Sequence, residues 1–445
     1  MKDLNNKQPK PSYYLNKQGF FYYQKSLEGA WVNKIIHGDN INILDGIKNS
    51  SLINNIKING GIKLIYIDPP FEVGTKHKMK IEIGNNKNHS LGVVAYEDKR
   101  GKDKFIKFMR ERLILMRDLM ASDGSIYLHC DWRTSGWIRL LLDEIFGEKN
   151  FINENIWSYK TGGTSKRSFA KKHDTIFLYS KSDKYIFNQQ LYKSWQKKRY
   201  NYSKKYPEYF DEKEGRWYHL AVCRDVWDDI YPIGTENKER LGYPSQKPES
   251  LLERIIRTST NEGDIVADFF SGSGTTAAVA ERLSRKWIIT DIGSKAIQVS
   301  KNRILDILHN KYEAKEKVNS FDVLCFNEDK SFNEHSFDFR IKTNIKDHKI
   351  SIELVDFVPI GNKYLSQGKK EVNLSWSDWI DSWAIDFNYN SSSKCFLADW
   401  YSFKNKDNKS IDLKTNYFKY ISDQSNFGVV VTDVFGNTTF KEISL

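Results

Sequence analysis

Ile265-Val266-Ala267-Asp268-Phe269-Phe270-Ser271-Gly272-Ser273-Gly274-Thr275-Thr276 runs from an apolar segment through a glycine turn into a helical pattern. Ile265 to Phe269 reads as a buried strand, and Thr275 to Leu283 as the helix that follows the turn. Glycines let the backbone turn tightly and approach a ligand, and the helix start presents unpaired amides to it. Asp291 ends the next strand, Trp287 to Thr290, about 20 residues on, where an acidic side chain binds a ribose hydroxyl in nucleotide sites. A glycine turn after a strand also has a purely structural reading. No third glycine stands near Thr276 or Ala277, so the dinucleotide fingerprint is incomplete, and no Gly-Lys-Ser/Thr follows, so this is not a phosphate loop. A ligand with adenosine, a charged tail and no phosphate fits what remains, and S-adenosylmethionine is such a ligand.

Outward from this turn the strand-then-helix pattern repeats. Asn33 to His37 reads as a strand, followed by Gly38-Asp39-Asn40 and a helix through Ile47. Lys63 to Ile67 is a strand that stops at Asp68-Pro69-Pro70-Phe71. Helices are expected over Phe105 to Met120, Trp137 to Phe146, Pro248 to Thr258 and up to about Leu308, with strands over Ser125 to His129, Asn155 to Tyr159 and Thr175 to Tyr179. The alternation predicts an α/β protein with a doubly wound, Rossmann-like sheet. Residues 72–103 are polar and without a clear pattern, and a loop of that length in a compact domain is usually functional or disordered. After about Tyr312 the texture changes, becoming alternating and rich in Ser, Asn and Asp, which predicts a separate C-terminal β-sandwich; Trp376, Trp379, Trp383 and Trp400 read as its core, with an oligomer contact or a partner site as the alternatives.

The turn at Asp68 carries the candidate chemistry. Two prolines fix φ and remove two amide donors, so the chain leaves the sheet along one stiff path. That exposes the Asp68 carboxylate, the Pro69 carbonyl and the Phe71 ring at the carboxyl end of the sheet, where open α/β sheets bind ligands. A base amino group is a poor nucleophile because its lone pair is delocalised into the ring. Two acceptors gripping its hydrogens draw the nitrogen toward tetrahedral geometry and free the lone pair for in-line attack on a sulfonium methyl. Phe71 offers a face for a base taken out of the duplex. A structural Asp-Pro-Pro turn is the plainer reading of these residues alone; their company with the glycine turn favours the chemical one.

Composition bounds the partners. The chain has 445 residues, a formal net charge of +12 and a pI near 9.1. The positive charge is concentrated: Trp157 to Phe210 holds 13 Lys and Arg against 3 Asp and Glu, with Tyr192, Trp195, Tyr200, Tyr202 and Tyr206 interspersed. Basic residues mixed with aromatics suit a nucleic acid, although a solvated basic face has the same composition. Cys130, Cys223, Cys325 and Cys395 are far apart, so neither a zinc site nor a disulfide framework is indicated. No apolar run approaches the roughly 20 residues of a membrane helix, and Met1 to Ser12 lacks an apolar signal core. The expectation is a cytoplasmic protein with no metal and no membrane contact.

Taken together these residues resemble the β-group amino-methyltransferases of DNA, the family that includes the modification subunits of type III restriction systems. Asp68-Pro69-Pro70-Phe71 matches the family's catalytic motif and Asp268 to Thr275 its cofactor motif, with Tyr243-Pro244-Ser245-Gln246-Lys247-Pro248 similar to the segment just before it. The likeness runs over about residues 31 to 308, in the circularly permuted order in which the catalytic motif comes first. It implies S-adenosylmethionine bound by Asp39, Gln246, Lys247, Asp268, Phe269, Phe270, Ser271, Gly272, Ser273, Gly274, Thr275 and Asp291. A helix cap is the alternative for Asp39. It implies a catalytic half at 31–182, a target-recognition region at 183–241 and a cofactor-binding half at 242–310; the N-terminal arm at 1–30 and the sandwich expected at 315–445 lie outside the likeness. Residues 72–103 would embrace double-stranded DNA, with Lys160, Lys166, Arg167, Lys171 and Lys172 on its phosphates. Arg224, Asp225, Trp227 and Asp228 would either read bases or pack.

The resemblance favours the adenine amino group. Asp at position 68 is similar to adenine-modifying members, whereas Ser is typical of those acting on the cytosine amino group; Phe71 departs from the more frequent Tyr and lacks its hydroxyl. No Pro-Cys occurs, which excludes cytosine carbon-5 methylation. The rival readings are a cytosine amino-methyltransferase, a catalytically silent DNA-recognition subunit and an enzyme acting on RNA. His129 with Asp131 suggests lining near the cofactor, with a metal or acid–base role as the alternative. A homodimer and a separate restriction subunit are the further candidate partners, since the chain carries no convincing nuclease or helicase motif.

Overall fold

Side chains of a strand alternate between faces, and Ile62–Ile67 divides its residues between two cores. Leu64 and Tyr66 join the core formed with helices Glu249–Ser259, Thr275–Arg282 and Ser294–Glu313. Ile65 and Ile67 join the one formed with Asn40–Lys48, Ser51–Ile58, Lys102–Leu119 and Ser135–Phe146. Ile35, Val266 and Ile289 face the first core; Ile36, Ala267 and Ile288 face the second. Strands buried on both faces read as continuous apolar runs, which is why these were legible. Truncating the fully buried Leu64 to alanine would cost about 2–5 kcal/mol.

The protein is seen in a computed structural model that describes residues 11–14, 31–72, 74, 76–84, 90–97, 99–159, 166–201, 207–316, 318, 321–326, 337–358, 374–390, 395–405, 408–419 and 426–444. Among them the main sheet has 11 strands, in the order Val226–Trp227, Phe151–Ser158, His173–Ser180, Met120–Cys130, Ile62–Ile67, Ile265–Asp268, Lys286–Asp291, Asn33–His37, Phe321–Cys325, Pro11–Tyr14, Cys395–Leu397. Neighbours from Met120–Cys130 through Pro11–Tyr14 are parallel. The strands ending at Asp68 and Asp268 lie side by side, with Leu64 opposite Val266 and Ile65 opposite Ala267. Both turns therefore leave the sheet at the same carboxyl edge.

One region differs from the sequence expectation, and two others gain detail. Residues 72–103 contain an antiparallel hairpin, Lys76–Glu82 with Ser90–Glu97. Met79, Ile81 and Ile83 point into a third core, while Lys76, Lys78 and Lys80 stay exposed. The period-2 alternation was present, but lysines occupy its outer face. The basic segment 183–241 holds a three-stranded antiparallel sheet, Glu208–Asp211, Arg216–Val222 and Leu191–Gln196. The C-terminal region packs the sheet around Asp338–Lys346 and Lys349–Val358 against the sheet around Ile380–Asp386 and Asn426–Asp433.

Phe339, Ile352 and Phe357 from one C-terminal sheet meet Trp379, Trp383, Val429 and Val431 from the other, the packing of a β-sandwich. Trp376 and Trp400 are partly buried against this core. The sandwich is joined to the main sheet. Phe321–Cys325, beyond the expected boundary at 315, pairs with Asn33–His37, and Cys395–Leu397 pairs with Pro11–Tyr14 of the N-terminal arm. Helix Ser294–Glu313 is bonded to the sandwich by Lys301 Nζ to Ser382 Oγ (3.0 Å), Gln298 Nε2 to the Asp433 carbonyl (2.9 Å) and Lys295 Nζ to the Val434 carbonyl (2.8 Å). No described helix is long and apolar enough to cross a membrane.

Candidate active site

A cavity of about 500 Å³ opens at the carboxyl edge, with Asp68, Pro69, Pro70 and Phe71 on one wall and Asp268 through Ser273 with Asp291 on the other. At the first wall Lys247 Nζ forms an ion pair with Asp68 Oδ2, both side chains being largely buried. Asp68 Oδ1 is buried and has no hydrogen-bond partner among the described residues. A buried acceptor left bare is costly, so few folds keep one without use for it.

Phe71 lies flat against His129, with ring centroids 5.8 Å apart and planes at 25°. His129 is fully buried. Its Nδ1 is 3.0 Å from the Tyr66 hydroxyl and its Nε2 3.1 Å from Asp174 Oδ2, while the Tyr159 hydroxyl donates to Asp174 Oδ1 at 3.2 Å. Burial works to raise the Asp174 pKa, but the hydrogen bonds from His129 and Tyr159 and the charge of Lys247 outweigh it and hold the carboxyl below its ordinary value. An ionised Asp174 only accepts, which assigns the proton to His129 Nε2 and leaves Nδ1 to accept from Tyr66. Burial pushes the Tyr66 hydroxyl pKa well up, consistent with its standing as a donor. Asp131 pairs with Arg133 instead of His129, and His129 sits behind Phe71 rather than on the cavity wall.

The opposite wall is fully bonded at its carboxylates. Asp268 Oδ1 accepts from the Phe270 amide (3.0 Å) and Oδ2 from the Thr276 hydroxyl (2.5 Å); burial pushes its pKa up to about 7. Asp291 Oδ2 accepts from the Gly272 amide and Oδ1 from the Gly293 amide, both at 2.8 Å, and burial raises its pKa to about 6. Gly274 caps helix Thr275–Arg282 at φ +70°, and a Cβ there would stand 2.6 Å from Ser300 Oγ. Ser271 Oγ is buried without a partner among the described residues. Asp39 accepts from the Ile41 amide (3.2 Å) as a helix cap and from Arg112 Nη2 (2.7 Å), and it also lines the cavity.

Other expected residues are arranged differently. Gln246 lines the cavity, but its amide accepts from Leu241 N–H (2.8 Å) and donates to the Glu239 carbonyl (2.7 Å), making it a strut of its own loop. Lys247, expected at the cofactor, holds Asp68. Gly274 shapes the turn from outside the cavity wall, and the Phe269 side chain is buried in the core. Lys160 lies outside the described residues. Lys166, Arg167 and Lys171 are exposed and Lys172 is half-buried. Their segment precedes His173–Ser180, whose Thr175 is opposite Cys130, so it flanks the edge that carries the cavity. Trp227 is buried and donates to the Arg224 carbonyl at 2.7 Å, while Arg224 and Asp228 form an exposed pair.

Sequence reasoning missed Tyr66, Asp174, Arg100 and Phe108. Arg100 and Arg112 cover the two-sided Phe108 ring at 4.1 and 3.6 Å, and Phe108 meets Phe270 at 6.1 Å. Only Tyr66 carried a local signal, as an inward aromatic two residues before Asp68. In the basic segment, Lys193 lies 4.7 Å from the Tyr218 ring, Arg216 5.3 Å from Trp195 and Arg199 5.0 Å from Trp217.

The sequence profile of the DNA methylase family matches residues 62–302. The chain is 30% identical to the type II methyltransferase M.EcaI of Enterobacter cloacae, over 55% of this chain and 65% of that one. It is 30% identical to the DNA adenine methyltransferase YhdJ of Escherichia coli K12, over 65% of this chain and 88% of that one. It is 27% identical to the probable type III restriction-modification enzyme HindVI Mod subunit of Haemophilus influenzae, over 58% of this chain and 48% of that one. Since the matched stretch runs through both walls of the cavity, the chain belongs to the DNA methylase family, enzymes that move a methyl group from S-adenosylmethionine to an exocyclic amino group of adenine or cytosine in DNA.

Proposed function

We propose that the chain methylates the exocyclic amino group of adenine at specific sites in double-stranded DNA. The observation that carries this reading is Asp68 Oδ1, a buried acceptor without a partner among the described residues, in one cavity with the glycine turn. An amino group has hydrogens to give to such an oxygen. The second falls to the Pro69 carbonyl on the same wall. Phe71, backed by His129, offers a flat face to a flipped base.

The cavity also fits the cofactor. Ser271 Oγ is a bare buried polar atom, the turn at Gly272 and Gly274 admits close approach, and the Asp39 and Asp291 carboxylates line the same space. These residues would hold S-adenosylmethionine, which supplies a sulfonium methyl as electrophile when bound. The chain's own part is to orient the amine, to polarise its N–H bonds and to exclude water. As the nitrogen gains a methyl it must shed one proton, and Asp68 Oδ1 is placed to take it.

Nucleoside analysis of DNA from cells expressing the chain tests the proposal. N6-methyladenine is expected; N4-methylcytosine would reassign the target, and unmodified DNA would contradict the proposal. Lys166, Arg167, Lys171 and Lys172 are read as phosphate contacts at the cavity edge, and 183–241 as the recognition region. We place the chain in the cytoplasm with its DNA. A second copy of the chain and a separate restriction subunit are the protein partners proposed, to be sought by sedimentation and by co-purification.

A further inference from the structure

We propose that Lys247 is a positioning residue of the transfer reaction: it holds Asp68 by Oδ2 so that Oδ1 is turned to the target amine. The inference rests on the methyl-transfer reading and adds a residue to it.

The terminal torsion of an aspartate is broad and two-fold, so a carboxylate left alone presents either oxygen. Lys247 removes that freedom. Its ammonium has donors and no acceptor, and it grips one oxygen of Asp68 while the other stays bare. The grip is itself fixed. Ser245 holds a left-handed φ of +61°, Gln246 is bonded at both ends to 239–241, and Pro248 starts helix Glu249–Ser259. The Lys247 carbonyl accepts from the Thr275 hydroxyl at 3.3 Å, and Arg303 donates to that hydroxyl at 2.9 Å. One loop thus touches the glycine turn with its backbone and, with its side chain, the reacting carboxylate 179 residues before Lys247 in sequence. The Lys247 Nζ also lies 5.4 Å from the Phe71 ring centroid, so it stands at the corner where platform and acceptor meet.

A lysine that bound the cofactor directly would show itself in cofactor affinity; one that aims Asp68 shows itself in the transfer step. The test uses the full chain, S-adenosylmethionine and methylatable DNA, with single-turnover transfer and equilibrium binding measured for Lys247→Met and Lys247→Arg. Expected for Lys247→Met is a transfer rate at saturating cofactor lowered by about 10²-fold, the size of a misplaced reacting group. The dissociation constant for cofactor should stay within about threefold. Lys247→Arg, which keeps the charge, should recover most of the rate. The inference is overturned if Lys247→Met transfers at the wild-type rate, if its defect disappears at saturating cofactor, or if Lys247→Arg is no better than Lys247→Met. Retained cofactor binding shows that the variant is folded. An inactive wild type would overturn the function reading itself, and so is distinguishable from failure of the Lys247 role alone.

Discussion

Asp68 and Asp268 end adjacent parallel strands at the same edge of one sheet, yet their surroundings are opposite. The turn after Asp68 is stiffened by two prolines, and one of its carboxylate oxygens is left bare. The turn after Asp268 bends through glycines at φ +49° and +70°, and both carboxylate oxygens are bonded within the chain. The same residue type is therefore left with an open acceptor in one turn and is a fully bonded strut in the other. Hydrogen-bond completeness, rather than residue identity or burial, separates the two.

That contrast can be broken at either end. The largest effect is expected for Asp68→Ala, which should lower methyl transfer by on the order of 10³-fold while cofactor binding persists; single-turnover kinetics with a binding titration would measure it. Gly274→Ala should act on the other wall. The φ of +70° alone costs a side chain about 1–3 kcal/mol, and the added Cβ would collide with Ser300. A loss of about 10²-fold in cofactor affinity, read by calorimetry, is expected. Phe71→Ala should weaken transfer by about tenfold to a hundredfold, the range of one base–aromatic stack, with cofactor affinity unchanged.

The smallest effect sharpens the contrast through pH. Burial raises Asp268 from its ordinary 3.8 to about 7. A carboxyl whose folded pKa is raised contributes stability below its unfolded value, and that contribution is lost as pH rises through the folded one. Against Asp268→Asn, the wild type should therefore lose relative melting temperature between about pH 4 and 7. A difference that does not vary with pH would remove Asp268 from its place as a buried strut.

Much of this arrangement was legible in the sequence. Ile62–Ile67 and Ile265–Asp268 are apolar runs because both their faces are buried, and the residues that stop them are prolines and glycines with strong backbone preferences. The hairpin of Lys76 and Met79 had its alternation in the sequence, but not the distant Trp379 core on which its apolar face packs. The bonds from Lys247 to Asp68 and from His129 to Asp174 join residues far apart in the chain. The family resemblance implied that Lys247 belonged near the site, but only the folded geometry distinguishes a hand on Asp68 from a hand on the cofactor. The sandwich was visible as texture; its attachment through Phe321–Cys325 depends on which edge strand of the sheet lacks a neighbour, which the sequence does not state.

The bare oxygen of Asp68 is proposed to receive the amino group of the target base. DNA carrying either adenine or purine, which lacks the amine, at the methylated position should be bound by wild type and by Asp68→Ala at saturating cofactor. Removing the amine should weaken wild-type binding by about 1.5–3 kcal/mol, the worth of a hydrogen bond to a charged group, and should leave the binding of Asp68→Ala unchanged. Equal losses in both proteins would mean that the amine and Asp68 do not meet.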